Sequence, residues 1–299
     1  MRVFYSPAYV AAGFSFETTL KASWVAASLD AEPIAGVELV EPNPLARDQL
    51  LAVHDAHYVR AIETGEPREL AESQSFAWDA ALWPAMLASN GGAVAAALAA
   101  LEDGVAGSLS SGLHHAKRSS GDGFCTFNGL VLAARAALAA GAGSVLILDL
   151  DAHCGGGTAS LIGDEPRITQ FDVSTSHFDQ YRDTAQARLA MVDSAAQYMD
   201  CVRRALDDAN ALGVAYDLCL YNAGMDPYEG CPVGGLPRID REMLAERERR
   251  VFAWCAERRL PVAFVLAGGY LGPRLDRAKL VGLHRLTLTA AAGMSWRPA

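Results

Sequence analysis

Asp149, Asp151 and His153 occupy alternate positions in the stretch 144–158, which reads Ser-Val-Leu-Ile-Leu-Asp-Leu-Asp-Ala-His-Cys-Gly-Gly-Gly-Thr. In an extended segment residues i, i+2 and i+4 point to one side, so the three polar side chains converge. Two carboxylates and an imidazole offer hard oxygen and borderline nitrogen, which makes half of a divalent-metal site. The competing reading is a solvated strand end whose carboxylates cap the next helix. The glycines at 155–157 leave room for a substrate to approach.

Three further clusters have the same grammar. His114 and His115 are adjacent and follow an apolar run, and a glycine-rich loop through Gly123 and Phe124 lies behind them. Two histidines facing one pocket can form an acid/base pair, with one held near neutral pKa and the other shifted by a carboxylate. Asp226 closes the run Asn222-Ala223-Gly224-Met225-Asp226, and Tyr270 closes Ala267-Gly268-Gly269-Tyr270. His54 and His57 are three apart but lack the i, i+4 pattern of a helical zinc site, and read as core or surface histidines.

These residues must be positioned by the elements that precede them. Strand-like runs are predicted over 1–6, 37–40, 105–110, 145–148, 167–173, 216–221 and 261–266. Helical spacing is predicted over 14–29, 45–64, 80–101, 129–140, 194–212, 241–259 and 275–292. In the helix over 241–259 the mixed Glu and Arg residues read as a solvated face. The alternation gives an α/β chain with a central, mainly parallel sheet flanked by helices. In such sheets ligands gather beyond the carboxyl ends of the strands, which is where all four clusters stand. Strand-end turns explain one reactive cluster easily and four poorly.

The 299 residues, 51% hydrophobic and 20% charged, suit one soluble α/β domain spanning residues 1–299, since no linker-like or repeated segment divides them. A net charge of −10 with pI near 5.2 argues against a nucleic-acid binder. The alanine-rich run 93–101 is interrupted by Glu102 and Asp103 and reads as a buried helix rather than a membrane span. The N-terminus has no secretory pattern. The six cysteines form no Cys-x-x-Cys pair and sit mostly in apolar segments, which suits a reducing cytoplasm.

In order and spacing, Gly-Leu-His-His-Ala (112–116), Gly-Phe-Cys-Thr-Phe-Asn (123–128), Asp-Leu-Asp-Ala-His-Cys-Gly-Gly-Gly-Thr (149–158), Asn-Ala-Gly-Met-Asp (222–226) and Ala-Gly-Gly-Tyr (267–270) resemble the motif series of the histone deacetylase and acetylpolyamine amidohydrolase family. The resemblance covers nearly the whole chain and is weakest before about residue 45. It implies the arginase/deacetylase α/β fold and one Zn²⁺ on Asp151, His153 and Asp226, although two Asp and one His would also accept Fe²⁺. It further implies that the ion polarises an amide carbonyl and activates a water for which His115 is the general base. His114, held by Asp149, would assist it, and Tyr270 would donate to the developing oxyanion. Gly123, Phe124 and Val233 would contact the substrate arm, and a structural K⁺ could sit behind the strand near Ser174.

The pattern is incomplete. Where relatives carry a second His and then Asp or Asn after the zinc histidine, this chain has Cys154 and Gly156, so the group that orients the base histidine is expected to be missing. Leu113 replaces a common proline, and 17–21 lacks the His-Pro-Glu-Arg signature, leaving the inner end of the tunnel unmapped. Cys154 reads as a buried filler. The expected activity is deacylation of an N-acyl amine, either a peptide or, by preference, a small molecule, since no long basic tail suggests chromatin. Two alternatives stand beside it. One is a binding protein that has lost turnover with its orienting residue. The other is a binuclear arginase-like ureohydrolase, which would need carboxylates that Gly155, Pro227 and Tyr228 do not supply.

Overall fold

The computed structural model describes residues 1–12 and 17–294. Eight strands form one all-parallel sheet: β1 (Arg2–Phe4), β2 (Glu38–Val40), β3 (Val105–Ser108), β4 (Val145–Asp149), β5 (Ile168–Ser174), β6 (Ala187–Met191), β7 (Leu218–Gly224) and β8 (Val262–Ala267). Their order across the sheet is β2-β1-β3-β8-β7-β4-β5-β6. The helices are α1 (Glu17–Ala31), α2 (Arg47–Leu51), α3 (Ala56–Thr64), α4 (Arg68–Ala71), α5 (Leu82–Asp103), α6 (Gly129–Ala139), α7 (Gly156–Ile162), α8 (Ala195–Ala211), α9 (Arg241–Glu257) and α10 (Arg277–Ala292).

The central strands are apolar on both faces because both are covered, and their period of two divides the interior into two cores. Leu146, Leu148, Tyr221 and Phe264 pack with Val25 of α1, Val202 of α8, Phe252 of α9 and Leu283 of α10. Val145, Ile147, Leu220 and Val265 face the other way, onto Ile62 of α3, Ala97 of α5, Val131 of α6 and Ile162 of α7. Each fully buried Leu or Phe contributes about 1.5–3 kcal/mol. The helix α5 is long and apolar enough to cross a membrane by length and composition, but it is mostly buried here as a core helix.

The α/β architecture and single domain agree with expectation, with three local departures. The helix expected over 45–64 is split, because His54 turns inward. Its Nδ1–H donates to the Lys117 carbonyl (2.8 Å), and its Nε2 accepts the Asn128 N–H (3.0 Å). Asp55, extended at ψ 140°, then starts α3. His57 is exposed. In α9 the expected solvated face is only partly so: Glu246 pairs with Arg249 and Arg250 at the surface, whereas Arg247 and Glu248 are fully buried. The edge strand β6 and the short α7 carry no pattern long enough to anticipate. Phe14, expected in the first helix, lies outside the described residues.

Candidate metal and catalytic centre

The carboxyl ends of four adjacent strands, β3, β8, β7 and β4, deliver the four clusters to one place. Asn222 of β7 pairs in register with Asp149 of β4, so the chain just beyond each strand runs side by side. Asp151 and His153 follow β4, and Asp226 follows β7. A ligand atom from each of these three buried residues falls within 4.8 Å of the others. His153 Nδ1 lies 3.1 Å from Asp151 Oδ1 and 3.0 Å from Asp226 Oδ2.

The set fits a divalent ion. Asp226 Oδ1 accepts the Ala152 N–H at 3.0 Å, whereas its buried Oδ2 has no well-aligned donor and faces the centre. A buried carboxylate oxygen without a donor is costly unless a cation satisfies it. The backbone makes room for this carboxylate: Gly268, at φ +59°, has a position where a Cβ would come within 2.4 Å of the Asp226 carboxyl. Without an ion, burial disfavours charge on His153, but Asp151 and Asp226 outweigh it and push its pKa up to about 10. Burial and Asp151 together raise Asp226.

Beside the candidate metal residues the rings of His114 and His115 touch at a 42° tilt, with centroids 4.0 Å apart. His114 Nδ1–H donates to Asp149 Oδ2 at 2.7 Å, and Asp149 is itself held by Asn222 Nδ2 at 2.8 Å. Burial opposes a charge on His114, but Asp149 and Asp151 prevail and its pKa rises to about 10. His115 goes the other way, down to about 4, through burial and the neighbouring His114 charge. The two histidines are thus split into a charged and a neutral member at neutral pH.

The orienting group expected to be missing is present, from another segment. His115 Nδ1–H donates to Asp179 Oδ2 at 3.0 Å, and both side chains are nearly buried. Residue separation hid this partner, since Asp179 lies past β5 in a loop without a recognisable motif.

A pocket above these groups is lined by Lys21, Phe76, Gly123, Phe124, His115 and Tyr270, among others. Phe124 is left-handed at φ +66° and its ring lies 5.4 Å from that of Phe76, which sequence reasoning missed. Phe178, also missed, stands edge-on to His115 at 4.9 Å and is 45% exposed. Val233 is placed differently from expectation. It is 46% exposed on the loop whose Gly234 approaches the His153 ring, and it does not line the pocket. Lys21 closes the unmapped inner end: it is buried, and burial outweighs Asp151 and Asp226 to lower its ammonium to about 8. The Tyr270 ring meets His153 edge-on at 6.2 Å, and burial, with Asp226 and Asp151, raises its phenol so that it stays protonated. Cys154 is buried and donates to the Ser176 carbonyl, as a filler would.

Residues 16–281 match the histone deacetylase domain. The chain belongs to the histone deacetylase family. As a member it is a hydrolase acting on amides. It is 32% identical over 238 residues to an uncharacterized protein of Picosynechococcus sp., covering 78% of this chain and 79% of that one. It is 29% identical over 251 residues to histone deacetylase 2 of Arabidopsis thaliana, covering 78% of this chain and 63% of the relative. Among solved structures, acetylpolyamine aminohydrolase from Burkholderia pseudomallei superposes with a TM-score of 0.78 at 22% identity, over 98% of this chain and 99% of that one. The HDA15 HD domain superposes with a TM-score of 0.82 at 18% identity, over 98% and 91%. At those identities the two structures establish the fold alone.

Proposed function

We propose that the protein is a zinc-dependent deacylase that releases the amine from a small N-acyl amine, such as an acetylated polyamine or acetyl-lysine. The convergence of Asp151, His153 and Asp226 on one point beneath a pocket walled by His115 and Tyr270 carries this reading. Two Asp and one His leave coordination positions open, as catalytic rather than structural zinc sites do. When bound, the ion supplies Lewis acidity to the amide carbonyl and to the attacking water.

The chain's own groups supply the rest. Neutral His115 can take a proton at Nε2, because its Nδ1 carries the hydrogen given to Asp179. His114, charged and fixed by Asp149, can deliver a proton to the departing amine or hold positive charge beside it. Tyr270 keeps its hydroxyl hydrogen and donates it where negative charge develops on the amide oxygen. Phe124 and Phe76 offer flat apolar walls to an alkyl arm. Lys21 places a cation at the inner end, suited to the carboxylate that hydrolysis releases. Behind β4, Ser174 donates its hydroxyl hydrogen to Asp172 (2.6 Å), which keeps the oxygen's lone pairs for a monovalent cation, and a K⁺ there is part of the proposal.

The test is hydrolysis of an N-acetylated diamine and an acetyl-lysine peptide by zinc-loaded protein, with Asp226→Ala as control. Turnover that vanishes in the control supports the reading. Protein that binds one zinc and cleaves neither these amides nor longer-chain analogues overturns it.

A further inference from the structure

We propose that Asp179 and Gly156 form an exchanged pair, in which a carboxylate from the loop after β5 positions His115 in place of a side chain at position 156. This inference rests on the deacylase reading for its kinetic consequence, but its structural content does not.

The geometry argues for exchange rather than coincidence. A Cβ built on Gly156 would lie 2.2 Å from the Asp179 carbonyl oxygen and 2.6 Å from Asp179 Oδ1. The space that a side chain at 156 would fill is therefore taken by Asp179, and the two cannot coexist in this arrangement. Asp179 is also left-handed at φ +57°, a conformation that non-glycine residues adopt at a cost and that persists only where surroundings impose it. Those surroundings are specific. Oδ2 accepts both the His115 Nδ1–H and the Gly157 N–H at 3.0 Å, and Oδ1 pairs with Lys117 Nζ at 3.3 Å. Lys117 is held in turn by Asp122 at 2.8 Å. Asp179 is thus anchored by three donors from two segments, a preorganised acceptor rather than a loose surface carboxylate.

The consequence is tautomeric. With Nδ1–H committed to Asp179, the lone pair of His115 resides on Nε2, on the ring that lines the pocket. Phe178, the preceding residue, packs edge-on against the same ring, so one loop both orients the imidazole and walls it. Asp179 acts through His115 and is a positioning residue.

Two measurements test this. In ¹⁵N-histidine spectra, with the His115 signal assigned by its loss in His115→Gln, the wild type is expected to show hydrogen on Nδ1 and a bare Nε2, and Asp179→Gly is expected to lose the protected Nδ1–H. A bare Nδ1 in the wild type, or an unchanged ring in the variant, overturns the proposal whether or not any substrate is turned over. In kinetics, Asp179→Gly is expected to lower kcat by about 10–100-fold with KM, bound zinc and Tm near wild type. Asp179→Asn, which keeps an acceptor, falls between. An active wild type whose Asp179→Gly variant keeps full kcat, or whose loss follows zinc or Tm, also overturns it. A wild type inert on every amide counts against the deacylase reading alone, and the spectra then decide.

Discussion

Arg247 donates from Nη1 to the carbonyl of Leu150 at 3.1 Å, from one residue before the first candidate metal ligand. The same guanidinium binds the Tyr198 hydroxyl at 2.9 Å, lies 3.7 Å from the Met225 sulfur beside Asp226, and pairs with buried Glu248 at 2.6 Å. A charged residue of α9 therefore ties together the two strand ends that carry the candidate metal site. Arg247→Leu removes the partner of buried Glu248, and a loss of about 3–5 kcal/mol in urea unfolding is expected. Replacing both partners by apolar residues recovers much of it, and a double variant as unstable as the single one would refute the account.

Gly268 lies against the Asp226 carboxyl, and no side chain fits there without moving that ligand. Gly268→Ala is expected to weaken zinc binding about 10–100-fold, measured by competition with a chromophoric chelator, while far-UV circular dichroism stays native. Unaltered affinity would show that Asp226 does not need this approach.

Tyr270 stands edge-on to His153 and keeps its phenol hydrogen. Tyr270→Phe retains the ring and removes the donor, so kcat should fall by about 10²–10³ with KM little changed. A larger effect on KM than on kcat would assign the hydroxyl to ground-state binding instead.

His54 is buried and neutral, its Nδ1–H on Lys117 and its Nε2 taking the Asn128 N–H. Burial leads the causes that lower its pKa to about 4. Between pH 6.5, the ordinary histidine value, and pH 4 the unfolded chain binds a proton that the folded one refuses, so this contribution is intact above pH 6.5 and lost as pH falls toward 4. The loss amounts to about 3 kcal/mol at most. Chemical denaturation from pH 7.5 to 4.5 should show it. His54→Gln removes the titratable ring, and an identical pH slope in that variant would remove His54 as the cause.

The central strands β3, β4, β7 and β8 were legible because each is a short, largely apolar run, and burial on both faces forces that composition. Asp149, Asp151 and His153 were legible for a different reason: an extended backbone alternates its side chains, so local spacing alone places them on one side. Helix 45–64 misled because its period is intact, whereas the inward turn of His54 depends on Lys117 and Asn128, acceptor and donor far along the chain. In α9, Arg247 looks like its neighbours Arg249 and Arg250, and only the approach of Leu150 and Tyr198 makes it a core residue.

The amino-acid sequence by itself determined the α/β alternation and the four strand-end clusters, since these follow from local period and residue chemistry, whereas the grouping of Asp151 and His153 with Asp226 as candidate metal ligands came from the family resemblance. The tertiary structure alone decided which group orients His115. Gly156 on its own spelled an absence, and the carboxylate that answers it comes from Asp179, in a loop placed beside His115 by the parallel pairing of β4 with β5. Such a relation is fixed by the distance between two backbone segments in space, which no spacing along the chain encodes.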